Sequence, residues 1–310
     1  MINNQELLAH IAQDYYLSQL SLNDLVKKYN LSRYLINKYL EDAKNEGIVS
    51  ITITSPIDRS FELEKQFKQL FNIPHIYIVK DNEEDNNKAL IKFASERVQS
   101  RIINSQIVGT LWGETIYRVV ENFTTQELKN LIVTQVMGEN RKYHSLAGSM
   151  RMVEKVAKKF SAEYVTLSGP LYIINPTTRQ GMMNEPSSQP ALSTAQKTDL
   201  IFTSLGTLSS INSIPTWKQE IINIFPNINL GAVAGVIYGR PYDIEGNLLI
   251  KAEEDCVFGV DLKTILQTPN RVGIVKSKFK TRATLGALRG QFFTELIISE
   301  SVAYRILAEL

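Results

Sequence analysis

Three stretches of this 310-residue sequence carry side chains suited to holding anions. The run Gly109-Thr110-Leu111-Trp112-Gly113-Glu114-Thr115 lies where a β-branched segment gives way to a helical pattern. Its glycines let the backbone turn and approach a ligand, its threonines offer hydroxyls, and free amides at a helix start favour an anion. Spacing alone is equally compatible with an ordinary glycine-rich turn at a strand end. Residues 271–290 contain Arg271, Lys276, Lys278, Lys280, Arg282 and Arg289 and no acid, a local charge of +6. Such a stretch either attracts an anionic ligand or forms a solvated basic face. Residues 21–40 hold Lys27, Lys28, Arg33 and Lys38 against Asp24, a local +3, although residues 1–60 together sum to −1. That is a focused patch rather than a basic domain. Catalysis has less to work with. His10, His75 and His144 are scattered, and Glu185, Asp243 and Asp255 are single carboxylates in segments that ordinarily form turns or face solvent. No nucleophile motif, metal-ligand cluster or dinucleotide fingerprint is present, so no cofactor is expected.

Composition narrows the setting. The 34 basic and 32 acidic residues nearly cancel, which argues against nucleic-acid binding by the whole surface but says nothing of a local patch. The single thiol, Cys256, can form neither an internal disulfide nor a cysteine cage, so a reducing cytoplasm is the expected location. The N-terminus has no export signal, and no apolar run reaches the ~18 residues of a membrane span. At ~100–200 residues per domain, the length predicts two domains, or one with an appendage.

The periodicities place the three stretches. Residues 1–55 read as a separate module of short helices. Leu7, Leu8, Ile11, Tyr15 and Tyr16 share a face of the first helix. Ser21 caps a second helix with Leu22, Leu25 and Val26 inward, and Ser32 caps a third, with Ile36, Tyr39, Leu40 and Ala43 inward and Gly47 as its stop. Three helices with a tight turn between the last two spell a helix-turn-helix, and the alternating residues 48–54 suggest a wing. The outward face of the third helix is then Arg33, Tyr34, Asn37 and Lys38, types that reach phosphates or base edges in a major groove. Arg33 and Asn37 are candidates for base contact, and Lys27, Lys28 and Lys38 for phosphate contact. A protein-docking module would show the same pattern. Residues 56–73 form a connector helix whose Leu63, Phe67, Leu70 and Phe71 predict a partner helix. Residues 74–310 alternate β-branched runs (IYIV, QIVGTLW, LIVTQVM, YVTL, DLIFTSLG, VGIV, ELIIS) with amphipathic pieces. The fold class is therefore α/β, an N-terminal winged helix-turn-helix followed by a Rossmann-like parallel sheet with helices on both faces and ligands at the carboxyl ends of the strands.

At the level of motifs the chain resembles the SorC-type transcriptional regulators, the family of the sorbitol-operon and deoxyribonucleoside regulators. The resemblance begins in LLAHIAQDYYLSQLSLNDLVKKYNLSRYLINKYLEDAKNEGIVSITI, with an aromatic pair, "SR" (Ser32-Arg33) opening the recognition helix and "EGIV" (residues 46–49) closing it. GTLWGET is similar to the family's "GVSWG(K/R)T" loop, and LIVTQVMG, SGPL (residues 168–171), GVIYGRPYDIEG (residues 235–246), DCVFGVDL (residues 255–262) and the stretch 276–303 match further motifs in order. The resemblance implies a sensor domain related in fold to sugar-phosphate isomerases, which binds a phosphorylated sugar effector and changes how the modules meet double-stranded operator DNA. Carried over residue by residue, Ser32 opens the DNA-reading helix, Gly109, Thr110, Gly113 and Thr115 line the phosphate site, and Lys280 stands at the family's phosphate-pairing lysine. A homodimer or homotetramer, paired through the connector stripe and the large domain, would present two recognition helices to a two-fold operator.

Several positions depart from the family. Tyr34, Leu35, Asn37 and Lys38 replace small residues and a second arginine, which bears on the operator sequence and not on the DNA-binding role. Glu114 stands where a basic residue is usual, and a carboxylate beside a phosphate repels it unless it points outward or pairs with Arg or Lys. Met137 and Glu139 replace a polar or lysine residue and a glycine. The deoxyribonucleoside branch forms an imine through a lysine at the former place, which Met137 rules out. Val236 replaces an acid, and Lys276-Ser277 replace a glycine pair. The expected function is a carbohydrate-responsive transcriptional regulator, not an enzyme. The rivals are a ligand-independent repressor whose large domain is purely structural, and a sugar-phosphate-processing enzyme, for which His144 would be the histidine nearest the pocket.

Overall fold

The computed structural model describes residues 4–49, 58–81, 87–140 and 149–310. The chain divides into two units, Met1–Pro56 and Ile57–Leu310. In the small unit, α1 (Asn4–Tyr16), α2 (Leu22–Tyr29) and α3 (Arg33–Asn45) pack around Leu8, Ile11, Ala12, Leu25, Ile36, Leu40 and Ala43. Local chemistry sets the ends. The Ser21 hydroxyl accepts the Asp24 amide at 3.2 Å, and the Ser32 hydroxyl accepts the Leu35 amide at 3.2 Å, so each helix start has one of its orphan donors satisfied. Asn30, at φ 52, makes the left-handed turn that separates α2 from α3. Of the expected wing, Ile48 and Val49 pack on this core; residues 50–54 lie outside the described residues.

The large unit is built on seven parallel strands: β1 (His75–Val79), β2 (Ile107–Thr110), β3 (Ile132–Gln135), β4 (Glu163–Val165), β5 (Leu200–Thr203), β8 (Asn270–Val275) and β9 (Glu295–Ser299), with β6 (Gly235–Ile237) and β7 (Arg240–Tyr242) forming a separate antiparallel hairpin. The spatial order is β1-β9-β8-β5-β2-β3-β4. Side chains alternate between two cores, as the pleat requires. Ile76, Ile78, Ile201, Leu296 and Ile298 face one side, and Val79, Leu200, Phe202 and Ile297 face the other. The second side is covered by α5 (Lys88–Ile102), α6 (Glu114–Glu121) and α7 (Ser149–Phe160). The first is covered by α4 (Phe61–Phe71), the β6-β7 hairpin and the helices Thr281–Arg289 and Glu300–Leu307. Residues 58–60 run antiparallel along β1, with the Ser60 amide on the Ile78 carbonyl and the Lys80 amide on the Asp58 carbonyl, and so cover that sheet edge. At the start of β9, buried Glu295 accepts from Arg97 at 2.6 Å and Arg101 at 2.7 Å, tying α5 to the sheet. Among the described residues no helix is long and apolar enough to cross a membrane.

The connector expected over residues 56–73 needs correction. Leu63, Phe67 and Phe71 of α4 are buried in the core of the large unit against Ile76 and Ile78, so the apolar stripe meets its own sheet rather than a partner helix. Leu70 is the residue of that stripe that stays half exposed. One substitution separates the two arrangements. Phe67→Ala should cost the large unit about 3–5 kcal/mol, the usual penalty for emptying a buried phenylalanine site, read as a lower urea midpoint with the oligomeric state by sedimentation unchanged. A stripe used for self-association would instead show as dissociation of the assembly in Phe67→Ala.

Candidate effector site and DNA-reading helix

The strand order reverses between β5 and β2. From β2 the chain moves outward through β3 and β4, and from β5 it moves the opposite way through β8 and β9. Loops leaving such neighbours at their carboxyl ends diverge and open a crevice. A cleft of about 900 Å³ lies here, lined by residues 111–115 after β2, Met137 and Asn140 after β3, residues 203–206 around the end of β5, and Lys276, Ser277 and Lys280 after β8. The β6-β7 hairpin reaches the same place, because Gly206 pairs with Val236. Trp112, Trp217 and Tyr172 supply aromatic surface, the last two edge-to-face with ring centres 5.1 Å apart.

The polar side of the cleft begins at Gly113, whose φ of 136° is open to glycine and strained for any other residue. Gly113 occupies the cap position before α6 and has no side chain with which to cap its first turn. Its amides and the positive end of the helix therefore face the cleft with Thr115 beside them. Opposite, Lys280 closes a 3-10 turn, Lys278–Lys280, before the helix Thr281–Arg289. Its ammonium donates to the Leu205 carbonyl at 2.5 Å and to the Ser204 hydroxyl at 3.4 Å. Burial, and secondarily the positive charge of Lys276, push the Lys280 pKa down to about 8, while Glu114 pulls the other way. An anion beside this ammonium would recover charge stabilisation lost on burial. Glu114 is itself paired, 2.8 Å from Arg118 and 3.5 Å from Lys276.

Of the five residues expected to bind effector, Gly113, Thr115 and Lys280 line the cleft, and Gly109 and Thr110 do not. Gly109 lies within β2, where a Cβ would come 2.8 Å from Val136 Cγ1 and 3.1 Å from Ile201 Cγ1. It is a glycine of close strand packing, not of ligand approach. The Thr110 hydroxyl is buried and donates to the Leu111 carbonyl at 3.1 Å. Of the six basic residues in 271–290, Lys276 and Lys280 line the cleft. Arg271, near the opposite end of β8, donates to the Thr268 and Phe292 carbonyls, and Arg289 pairs with Glu245. Met137 forms part of the wall, whereas Glu139 is not among the lining residues and its amide is bonded to the Gly169 carbonyl. Trp217, Tyr172 and Ser204 join the site without having been singled out from the sequence. Ser204 directly follows β5 and was accessible to the strand-end rule; Trp217 lies in the short helix Pro215–Gln219, and no local pattern marks it. The three loop carboxylates do not line the cleft. Asp255 pairs with Arg240 at 2.7 Å, and Asp243 accepts the Asn247 amide within its turn. His144 lies outside the described residues.

On α3, Arg33, Tyr34, Asn37 and Lys38 are all exposed, while Ile36 and Leu40 are buried, so the four form one outward face. Ser32 is exposed and serves as the cap. Lys27 is exposed on α2, but Lys28 is 2.6 Å from Asp14, which also accepts the Tyr29 hydroxyl at 2.6 Å. Those bonds hold the Asp14 carboxyl below its ordinary range, and burial together with Asp14 pushes the Tyr29 phenol up to about 12. Lys28 thus ties α2 to α1, a role its place in the expected phosphate-contact set did not anticipate.

The family model described as "Putative sugar-binding domain" matches residues 55–308. The chain is 25% identical to the uncharacterized transcriptional regulator YjhU of Escherichia coli strain K12, over 98% of this chain and 95% of that protein. It is 24% identical to the sorbitol operon regulator of Klebsiella pneumoniae, over 97% of each. The crystal structure of the full-length sorbitol operon regulator SorC from Klebsiella pneumoniae matches with a TM-score of 0.70 at 22% identity, covering 98% of this chain and 99% of that one, a likeness of fold.

Two measurements test this geometry. Gly109→Ala should lower stability by about 1–3 kcal/mol through overpacking, seen in chemical denaturation. A loss of anion affinity at unchanged stability would return Gly109 to the binding surface. Because the Lys280 pKa is depressed, its charge is present at neutral pH and lost as pH rises through about 8. The affinity for sulfate, which stays a dianion throughout, should be level from pH 6.5 to 7.5 and decline above 8 by calorimetry. A level profile to pH 9.5 would remove Lys280 from the site.

Proposed function

The chain belongs to the SorC-type family of sugar-binding transcriptional regulators, and from that premise we propose that it is a DNA-binding regulator whose affinity for double-stranded operator DNA is set by a phosphorylated sugar. The observation that carries this reading is the convergence, at one strand-order reversal, of the uncapped first turn of α6 with Thr115 and Lys280, facing Trp112 and Trp217. Helix amides and a buried ammonium suit a phosphate, and flat aromatic surface suits the apolar face of a sugar ring. In this reading Gly113, Thr115 and Lys280 hold the phosphate. Arg33 and Asn37 read base edges, and Tyr34, Lys38 and Lys27 contact the backbone or flanking groups.

The chain is taken to act in the cytoplasm as a homodimer or homotetramer, with two recognition helices on a two-fold operator. Since α4 spends its stripe internally, the pairing surface belongs to other parts of the large unit. The effector acts by linkage, shifting operator affinity by the difference in its own affinity for the two arrangements of the assembly. Regulation rather than turnover fits Asp255 and Asp243, which serve an ion pair and a turn away from the cleft, and Glu114, the acid on the cleft wall, which is held in ion pairs.

A thermal-shift panel of sugars and their phosphates on the full chain tests the effector class. A ligand at 100 times its dissociation constant stabilises by about 2.7 kcal/mol, and the expected result is stabilisation by a phosphorylated sugar beyond that of its neutral counterpart. A flat panel would favour the ligand-independent repressor, and turnover of a panel member would favour an enzyme. With duplexes selected from a random pool, Arg33→Ala should weaken operator binding by about 1–3 kcal/mol and leave effector affinity unchanged. Lys280→Ala should abolish the effector response with bare DNA binding intact. Equal damage to both activities by both substitutions would sink the division of labour.

A further inference from the structure

Glu114 occupies a peculiar place for a carboxylate. It is the first residue of α6, on the cleft wall where an anion would dock, and it reaches Lys276 on the loop after β8. In the sheet, β5 lies between β2 and β8. The Glu114–Lys276 pair therefore crosses over the end of β5, above the Ser204 and Leu205 groups that hold Lys280. The two partners are unequal. The Lys276 side chain is 18% exposed and Glu114 is 68% exposed, and Glu114 has a shorter bond, 2.8 Å, to Arg118 one turn further along its own helix. Lys276 is the more buried partner, and the Glu114 Oε1 that touches it is already bonded to Arg118, so the carboxylate can leave Lys276 and still be compensated by Arg118 and the positive helix end.

We infer that the Glu114 carboxylate is a built-in stand-in for the effector's phosphate: it partners Lys276 in the free site, and an arriving phosphate displaces it from Lys276, leaving it on Arg118, and takes Lys276 as a second cation beside Lys280. The inference rests on the reading of the cleft as a phosphate site. Its consequence is that Glu114 is a specificity and threshold residue. It weakens every anion by the competition for Lys276 and leaves neutral sugars untouched, so the sensor responds to the phosphorylated form at a higher concentration than the cations alone would set. Electrostatics fits this direction. A carboxylate left beside a bound dianion repels it, whereas one turned from Lys276 toward solvent and held by Arg118 is screened.

The test uses the full chain, inorganic phosphate as the probe, and calorimetry at constant pH and ionic strength. Glu114→Gln should tighten phosphate about five- to tenfold, a scale expected for one partly exposed charge near a dianion. Lys276→Met should weaken phosphate, and adding Glu114→Gln to Lys276→Met should bring little or no gain, because the competition has no object. Equal affinity of wild type and Glu114→Gln overturns the inference while leaving the phosphate site standing. Weaker binding in Glu114→Gln also overturns it, since the carboxylate would then be accepting hydrogen bonds from the ligand. The same gain with and without Lys276 overturns it as well, assigning Glu114 to general repulsion. No saturable binding by either wild type or Glu114→Gln, with circular dichroism unchanged, overturns the phosphate reading itself along with the inference. Glu114 is exposed, so Glu114→Gln can by itself overturn the inference, through equal or weaker phosphate binding, and where Lys276→Met fails to fold the milder Lys276→Gln takes its place in the comparison.

Discussion

The cleft exists because a parallel sheet cannot reverse its strand order without leaving a gap. Between β2 and β5 the chain's crossovers part to opposite sides, and the loops after these two strands diverge instead of closing on each other. Backbone groups and a helix start are left facing that gap, and whatever fills it must satisfy them. The apolar residues that make the two cores are therefore indirectly responsible for the site. Phe202 and Ile201 hold β5 in the middle of the sheet, and Val236 and the hairpin wall off the gap from below.

The parts legible in the sequence were those decided by local rules. Serine caps at Ser21 and Ser32, the inward positions of α3, and the seven strand runs follow from hydrogen-bonding chemistry and periodicity within ten or so residues, and the structure has them where those rules put them. The rest was decided by neighbours on other elements, which no pattern within a single element names. The α4 stripe announces a partner but does not say that the partner is β1, which follows α4 directly. Gly109 belongs to a glycine-rich run by spacing, and only the register against Ile201 makes it a packing residue. Lys28 is a phosphate candidate by its charge and is exposed, and its bond to Asp14, a helix away, is what the sequence does not show. Trp217 enters the cleft from a short helix more than a hundred residues after Trp112, and no periodicity carries that information.

Electrostatics shows the same division at a finer scale. A +6 stretch invites the idea of a broad basic surface, yet its charges are parcelled out. Arg271 and Arg289 stabilise carbonyl ends and an ion pair, and Lys276 and Lys280 are left to the cleft. These two cannot be treated alike. Lys280 is buried and bonded to a backbone carbonyl and a hydroxyl, neither of which neutralises it, so its charge is the less stable of the two and the one an anion benefits most. Lys276 already has a carboxylate.

That asymmetry explains how one site can be both selective and releasable. A cleft with two unpaired ammonium groups would hold any phosphate tightly and respond to none in particular, because saturation leaves no range over which occupancy can vary. Pairing one of the two with a carboxylate on the opposite wall lowers the resting charge without removing the cation. It also makes ligand entry a local exchange of ion pairs across the end of β5, between the loop that starts α6 and the loop that leads to the helix Thr281–Arg289. A ligand shifts an assembly only by its differential contacts, and groups from both sides of the strand-order reversal are the contacts that could differ. The departures at Glu114 and Lys276, which taken singly look like the erosion of a family site, are complementary when taken together: the acid stands 3.5 Å from the base.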